Sequence, residues 1–292
     1  MKTISFLLPT RGRPTLAERF FRSIAETASR PERVEVILYA DEDDTGSHHL
    51  DSDAVSVVRI IGPKMSMGGY NSACMARAKG DILVLANDDM VIGTPGWDDK
   101  IANIDEKFVD KIYLAYCNDL FKKRVCTFPI LSRRTCELLV EPYPAAYRGA
   151  FIDTHLFDLF KRLQHSGFDR IRYLDDVLFK HLHFRTGNAA LDETYLKRGR
   201  FEDDPTFIAM AAVRSMGAKR LLYVLRGERL PAFKPVECQE YVPTGVFNAV
   251  VYFARKLLFD NELPLRWRSY VWCRFTGRYL ASHGFLRRFV RQ

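Results

Sequence analysis

Short apolar runs alternate with amphipathic stretches through the first third of the chain. Ile4 to Leu8 is an apolar run that stops at Pro9. Thr15-Leu16-Ala17-Glu18 then has the Ser/Thr-x-x-Glu form of a helix-opening capping box, and Leu16, Phe20 and Ile24 follow at helical spacing. A strand, a loop and a helix are predicted. The β-branched runs Val34 to Ala40 and Val55 to Ile61 predict two further strands. The first ends in the acidic cluster Asp41 to Asp44 and the second at Gly62-Pro63. A helix from about Gly69 to Lys79 closes at Gly80, and the near-continuous apolar strand Asp81 to Ala86 runs into Asn87-Asp88-Asp89.

The remainder continues with different punctuation. Ile112 to Cys117 predicts a strand, Arg133 to Val140 a short helix, and Thr154 to His165 a helix with Leu156, Leu159, Phe160 and Leu163 inward and Gly167 as its stop. Ile171 to Phe184 alternates as a strand, and Asp203-Asp204-Pro205 opens a helix to Met216, with Gly217 at its end. No internal repeat or low-complexity segment is present. Buried strands alternating with helices at short connections predict an α/β fold with a mixed, mainly parallel sheet. In open sheets of that kind ligands collect beyond the carboxyl ends of the strands. The loops Pro9 to Arg13, Asp41 to Asp44 and Asn87 to Asp89 fall there, and they are where charge accumulates.

Composition narrows this picture. With 292 residues and 47% hydrophobic content the chain can bury a substantial core. Domains run to roughly 100–200 residues, so one large domain with an appendage is expected. The opening apolar stretch is too short for a signal-peptide core, and no run approaches a membrane span. Six scattered cysteines with no Cys-x-x-Cys spacing predict free thiols in a reducing cytoplasm. The net charge is +8, and from Tyr252 onward nine Lys or Arg face only Asp260 and Glu262. The excess is therefore in the tail, which disfavours a global nucleic-acid-binding surface and leaves a locally basic appendage.

The Asp88-Asp89 pair is the first candidate chemistry. A nucleoside diphosphate leaving group needs a hard cation, and Mg²⁺ or Mn²⁺ takes one or two carboxylates plus the phosphates themselves. Two acids in a polar loop after a strand are an equally ordinary explanation. Asp153, in Phe151-Ile152-Asp153-Thr154, could serve as a base or simply cap a helix. His181 and His183 are two apart on a predicted strand and so share a face; as strand histidines they suit a metal site or an ordinary hydrogen-bonded position.

The block Gly68-Gly69-Tyr70-Asn71-Ser72-Ala73 through Ala78-Lys79-Gly80-Asp81 to Asn87-Asp88-Asp89 resembles the central block of glycosyltransferase family 2. That family has a small residue and Asn opening a helix, then Ala-x-Gly-Asp, an apolar strand and an acidic metal motif. The likeness covers roughly residues 1–225. It implies a GT-A fold, Rossmann-like, with a nucleotide-binding half at about 1–110, an acceptor half at about 111–225 and a basic, aromatic helical extension at 226–292. Asn87 stands where the family form can carry a first Asp, so the metal role passes to Asp89 first and Asp88 second. Pro9, Thr10, Arg11, Arg13 and Asp41 would line the nucleotide pocket, with Lys64, Gly69 and Asn71 on the donor side. Asp153 matches the family's acid at the head of a helix, the base of an inverting displacement. The segment Tyr173 to His183 is similar to a subgroup in which a late His reaches the metal or phosphates; His181 and His183 stay open between themselves. Arg185 to Arg200 would be a lid.

The implied function is transfer of a sugar from a nucleotide-sugar, UDP-linked foremost, GDP- or dTDP-linked otherwise, to a glycan or lipid-linked acceptor. The rivals are a nucleotidyltransferase of the same architecture, disfavoured by the single Gly of Pro9-Thr10-Arg11-Gly12-Arg13, and an inactive GT-A module binding membrane or glycan. A Rossmann dehydrogenase lacks its Gly-x-Gly-x-x-Gly. The tail, with Phe247, Phe253, Phe259, Trp267, Phe275, Tyr279, Phe285 and its basic residues, suits an anionic membrane face or a packed helical pair with cations outward. The expected location is cytoplasmic, at the inner membrane face where the tail engages lipid.

Overall fold

The computed structural model of the chain describes residues 2–120, 125–182, 199 and 201–285. Its contacts group it into two units, Met1–Phe157 with Arg170–Arg198, and Asp158–Asp169 with Gly199–Gln292. The expected lid at Arg185 to Arg200, apart from Gly199, lies outside the described residues, as does His183.

The first unit is built on eight strands: β1 (Ile4–Thr10), β2 (Val34–Asp41), β3 (Ser56–Gly62), β4 (Ile82–Leu85), β5 (Met90–Ile92), β6 (Leu114–Asn118), β7 (Ile130–Ser132) and β8 (Ile171–His181). They lie in the order β3-β2-β1-β4-β7-β6-β8-β5. β1, β2, β3 and β4 pair in parallel, β7 runs antiparallel to both β4 and β6, and β6 pairs in parallel with β8. Two reversals restore the original direction. The carboxyl ends of β3, β2, β1, β4, β6 and β8 therefore all meet one edge, and only β7 and β5 oppose them.

Among the described residues five α-helices belong wholly or partly to this unit: α1 (Pro14–Thr27), α2 (Met67–Arg77), α3 (Trp97–Lys107), α4 (Arg133–Leu139) and α5 (Ile152–His165), whose residues from Asp158 onward belong to the second unit. Ala17, Phe20, Phe21 and Ile24 are the buried face of α1. Phe6 of β1 meets Phe20 at 5.2 Å and Trp97 at 5.3 Å between ring centroids, and Trp97 meets Phe179 at 5.8 Å. Edge-on and tilted packing of this kind adds to the burial of large rings.

Local chemistry departs from expectation in several places. α1 opens at Pro14, with Arg13 at the cap position and no side-chain cap, so the Thr15 to Glu18 box lies inside its first turn. Proline at the first position needs no N–H and pre-sets φ, which makes a box unnecessary. α2 starts at Met67, capped by Ser66, whose hydroxyl accepts from Gly69 N at 3.1 Å. β5, β7 and α3 lay in stretches without a sequence signal. The six cysteines are free thiols.

The second unit holds the end of α5 with α6 (Asp204–Ala209), α7 (Ala211–Leu225), α8 (Val246–Phe253) and α9 (Leu265–Ser282). The single helix expected to stop at Gly217 is instead α6 and α7, and Gly217 is buried within α7. The expected boundary at residue 225 is not where the contacts divide, because side chains from α5, α7 and α9 share one ionic core. Buried Asp158 accepts from Arg214 Nε at 2.7 Å, from Arg162 at 3.3 Å and from Trp267 Nε1 at 2.7 Å. Arg162 also reaches Asp260 at 2.5 Å and Glu262 at 2.9 Å. Phe207 stacks on Phe275 at 4.5 Å. Of the tail aromatics, Phe253, Trp267, Phe275 and Tyr279 are core, whereas Phe247, Phe259 and Phe285 are exposed. Among the described residues no helix is long and apolar enough to cross a membrane.

Burial raises the cost of ionising Asp158, but Arg214, Arg162 and the Trp267 donor outweigh it and hold the carboxyl below its usual value. Removing that charge takes the carboxylate partner from the buried Arg214 guanidinium, whereas Arg162 keeps Asp260 and Glu262. Asp158→Asn is expected to lower unfolding free energy by about 3–5 kcal/mol in urea titrations at neutral pH. A carboxylate depressed in the folded state stabilises above its unfolded pKa and stops doing so as pH falls through the folded one. The gap between wild type and variant should therefore narrow in acid; a gap independent of pH would contradict this role.

Candidate active site

β1 and β4 hydrogen-bond only as far as Leu7 and Leu85, with Ala86 N donating to Leu7 O at 3.0 Å. The carbonyls of Thr3 and Leu7 both face β4, accepting from Ile82 and Ala86. By alternation Pro9 faces the same side, just past the last pair, where its missing N–H leaves no ladder bond unmade. The strands part there. Chain order reverses between the same two strands, β3-β2-β1 running one way and β4 lying on the other side, which is the crevice where α/β sheets place ligands.

Thr10, Arg11, Arg13, Asp41 and Asp88, five of the residues expected to form a site, are linked to one another along this edge. Thr10 Oγ1 donates to Asp88 Oδ2 at 2.9 Å, and Arg13 donates to Asp88 Oδ1 at 3.1 Å. Burial dominates the carboxyl's environment and pushes Asp88 up to about 6, against the lowering by Arg13 and with a further push from Asp89. Arg11 bridges to the next loop, bonding Asp41 and gripping Asp43 through two bonds of 2.6 Å, while Gly12 N donates to Asp44 at 2.7 Å. These contacts, Asp43 foremost, raise the guanidinium's pKa further. Both arginines expected to face phosphate are thus engaged with carboxylates.

Asp41 is buried and also accepts from Tyr70 Oη at 2.5 Å. Burial, then the bond to Asp41, raises the Tyr70 phenol. Tyr70 packs on Tyr39 at 4.9 Å, and Tyr39 Oη donates to Pro63 O at 2.9 Å. Gly69 sits in the first turn of α2, and Asn71 is buried with its Oδ1 making no hydrogen bond among the described residues. Lys64 is exposed beyond β3, close enough to help lower the Asp43 carboxyl.

On the other side of Asp88, Asp89 Oδ2 lies 3.3 Å from His181 Nε2. The placement follows from β5 pairing Met90 with His181, and Leu182 N donating to Asp89 O at 2.9 Å. Burial disfavours the imidazolium, but Asp89, aided by Asp119 and Asp153, outweighs it and raises the His181 pKa. Phe128 packs edge-on against the ring at 5.2 Å. Among the described residues no group of three or more His, Cys, Asp or Glu side chains is placed to hold a metal. Asp89 and His181 are the two side chains whose donor atoms could take part in holding a cation, and any further ligands would have to come from phosphate and water.

Asp153 is in the first turn of α5, one residue past its start, and its Oδ1 accepts from Thr154 N at 2.6 Å and Thr154 Oγ1 at 3.1 Å. The preceding Phe151 has φ +69°, a left-handed conformation costly for an aromatic residue, and its carbonyl receives the first helical bond from His155 at 2.7 Å. The segment before it is tied to α2: Met67 N donates to Arg148 O at 3.0 Å, Gly68 N to Tyr147 O at 3.1 Å, and Tyr147 Oη bonds His155 Nδ1 at 2.9 Å.

Sequence reasoning passed over Tyr70, Asp43 and Asp119. Asp119 is buried and accepts from Thr127, directly after β6. It stands to β6 as Asp88 stands to β4 and Asp41 to β2, so the strand-end reasoning applied once more would have found it.

No protein-family model matches the chain, and a search by sequence among curated proteins returns no relative. Solved structures do share its fold. The mannosyltransferase PcManGT from Pyrobaculum calidifontis, in complex with GDP-Man and Mn²⁺, superposes with a TM-score of 0.50 at 14% identity, over 98% of this chain and 76% of that one. S. aureus TarS 1–349 in complex with UDP-GlcNAc has a TM-score of 0.50 at 12% identity, over 97% of this chain and 92% of that one. The fold is of the GT-A type.

A Cβ on Gly68 would lie 2.0 Å from Pro144 O, a backbone atom that cannot turn away. Gly68→Ala should cost about 1–3 kcal/mol, the usual range for overpacking. Because the contact joins the α2 head to the strand of chain leading to Asp153, hydrogen exchange should rise in both Met67–Arg77 and Tyr147–His155; a rise confined to α2 would refute the coupling.

Proposed function

We propose that the chain is a glycosyltransferase of the family 2 kind, moving a sugar from a nucleotide-sugar to an acceptor hydroxyl with inversion and with the help of a divalent cation. The observation that supports this reading above the others is the convergence at one sheet edge of Asp88, Asp89 and His181 with Thr10, Arg13 and Asp41. Asp89 and His181, with Asp88 beside them, would hold Mn²⁺ or Mg²⁺. Bound there, the cation supplies positive charge to the departing diphosphate.

The chain's own residues do the rest. Tyr39, Tyr70 and Asp41 form an aromatic and acidic wall suited to a base and ribose, and Arg11 and Arg13 supply charge-assisted donors once phosphate competes with their carboxylate partners. Asp153, with one oxygen steadied by Thr154, takes the proton of the attacking hydroxyl as the new bond forms. Both carboxylate and hydroxyl must be held in register for that transfer, which the α2 ties of the preceding segment favour. The donor is read as a UDP-sugar first, with GDP- and dTDP-sugars next; the two fold neighbours were solved with GDP-Man and UDP-GlcNAc. The acceptor is read as a glycan or a lipid-linked glycan.

Asp153→Asn should keep the thermal shift produced by nucleoside diphosphate and Mn²⁺ while losing about 10²–10⁴-fold in transfer or slow donor hydrolysis. Chelation should abolish turnover of the wild type and added Mn²⁺ restore it. Normal turnover by the variant would remove Asp153 as the base, and retention of configuration in the product would remove the single displacement.

A further inference from the structure

α8 continues into a single π turn, Ala254–Leu258, closed by Phe259 N donating to Ala254 O at 2.9 Å, and the chain returns as α9 from Leu265. The connection has two acids, and both are drawn into the unit. Asp260 is bound by Arg162 at 2.5 Å, and Glu262 by Arg162 at 2.9 Å, Ser215 at 2.5 Å and Lys219 at 2.7 Å. The apolar residues divide in the same way: Phe253, Leu257, Leu263 and Trp267 are buried, while Phe259 is 70% and Leu265 64% exposed. Arg255, Lys256 and Arg266 are exposed beside them. Phe247, 78% exposed, lies two i+4 steps before Arg255, on the same helical stripe.

A hairpin tip of this composition is unusual for a surface facing only water. Large apolar side chains left in solvent forgo the gain of burial, and a contiguous cluster of them marks a contact. Both acids are paired within the unit, although the Glu262 side chain stays 38% exposed, and the exposed charges at the tip, Arg255, Lys256 and Arg266, are all positive. A second copy of the chain, meeting tip to tip, would bring three cations against three, a repulsive arrangement. An anionic bilayer offers the complement: phosphates for the cations and an interfacial zone for the rings.

We propose that the α8–α9 hairpin tip docks on an anionic lipid surface, Phe259 and Leu265 entering the headgroup region while Arg255, Lys256 and Arg266 pair with lipid phosphate. Deleting the tail is a poor test, because Trp267, Phe275 and Tyr279 are core to their unit. Exposed positions give a clean one. The full chain should sediment with vesicles of phosphatidylglycerol and phosphatidylcholine in equal parts, and much less at high salt. Arg255→Gln/Lys256→Gln/Arg266→Gln should weaken that partition on the order of 100-fold, at roughly fivefold per cation. Phe259→Ser/Leu265→Ser should weaken it about tenfold or more, and both variants should melt with the wild type. The proposal is overturned if the wild type does not bind, if it binds pure phosphatidylcholine equally well, or if the charge variant binds like the wild type. It is equally overturned if the serine pair dissociates a dimer while leaving lipid partition untouched.

Discussion

The end of the β1–β4 ladder at Leu7 and Leu85 is the constraint on which the candidate site depends. Had the two strands stayed paired through Thr10, its hydroxyl and the Asp88 carboxylate would have no crevice to face each other across. Pro9 makes the separation free of cost, since a ladder position that lacks an N–H donor is best placed where no partner remains. Beyond that point, side-chain bonds replace backbone bonds: Thr10 and Arg13 join β1 to Asp88, and Arg11 and Gly12 join it to the loop after β2. The result is a row of carboxylates held by side-chain and backbone donors from neighbouring loops. Burial first, and Asp89 after it, push the Asp88 carboxyl up to about 6 against the opposing effect of Arg13.

The second unit uses charge to a different end. Asp158 and Arg214 are each about 1% exposed, and such a pair is held by mutual bonds, not by water. The net stabilisation from burying it is modest, yet the geometry it demands is exacting: donors from α7 and α9 must converge on one carboxylate of α5. The same network consumes Asp260 and Glu262 through Arg162. The outward positive charge of the α8–α9 tip is thus a consequence of how the interior is neutralised.

Much of the fold was legible because parallel strands covered on both faces read as apolar runs, and because the acids that end them stand out against those runs. β1, β2, β3 and β4 and the placement of Asp41, Asp88 and Asp89 follow directly. β5 and β7 were not legible: each is three residues long, too short for any alternation, and each is defined by antiparallel pairing, β5 with β8 and β7 with β4 and β6. His181 could be placed on a strand from its own segment, but its approach to Asp89 depends on β5. Thr15 to Glu18 matched a capping box that Pro14 made redundant. Gly217 was read as a stop, although it lies buried inside α7. Asp158 and Arg162 gave no signal because an i, i+4 pair of opposite charge on an amphipathic helix ordinarily faces solvent.

Phe151 carries the remaining link between the two halves of the site. A non-glycine residue at φ +69° persists only where its surroundings over-determine it. Here those surroundings are identifiable. The chain before it is pinned at Tyr147 and Arg148 by the first backbone donors of α2, and the chain after it begins α5 with the bond from His155 to its carbonyl. Gly68 permits that approach, since any side chain there would strike Pro144. The helix that opens with Met67 therefore fixes the turn from which Asp153 projects. Displacement of either should be felt by the other without any residue having to touch both.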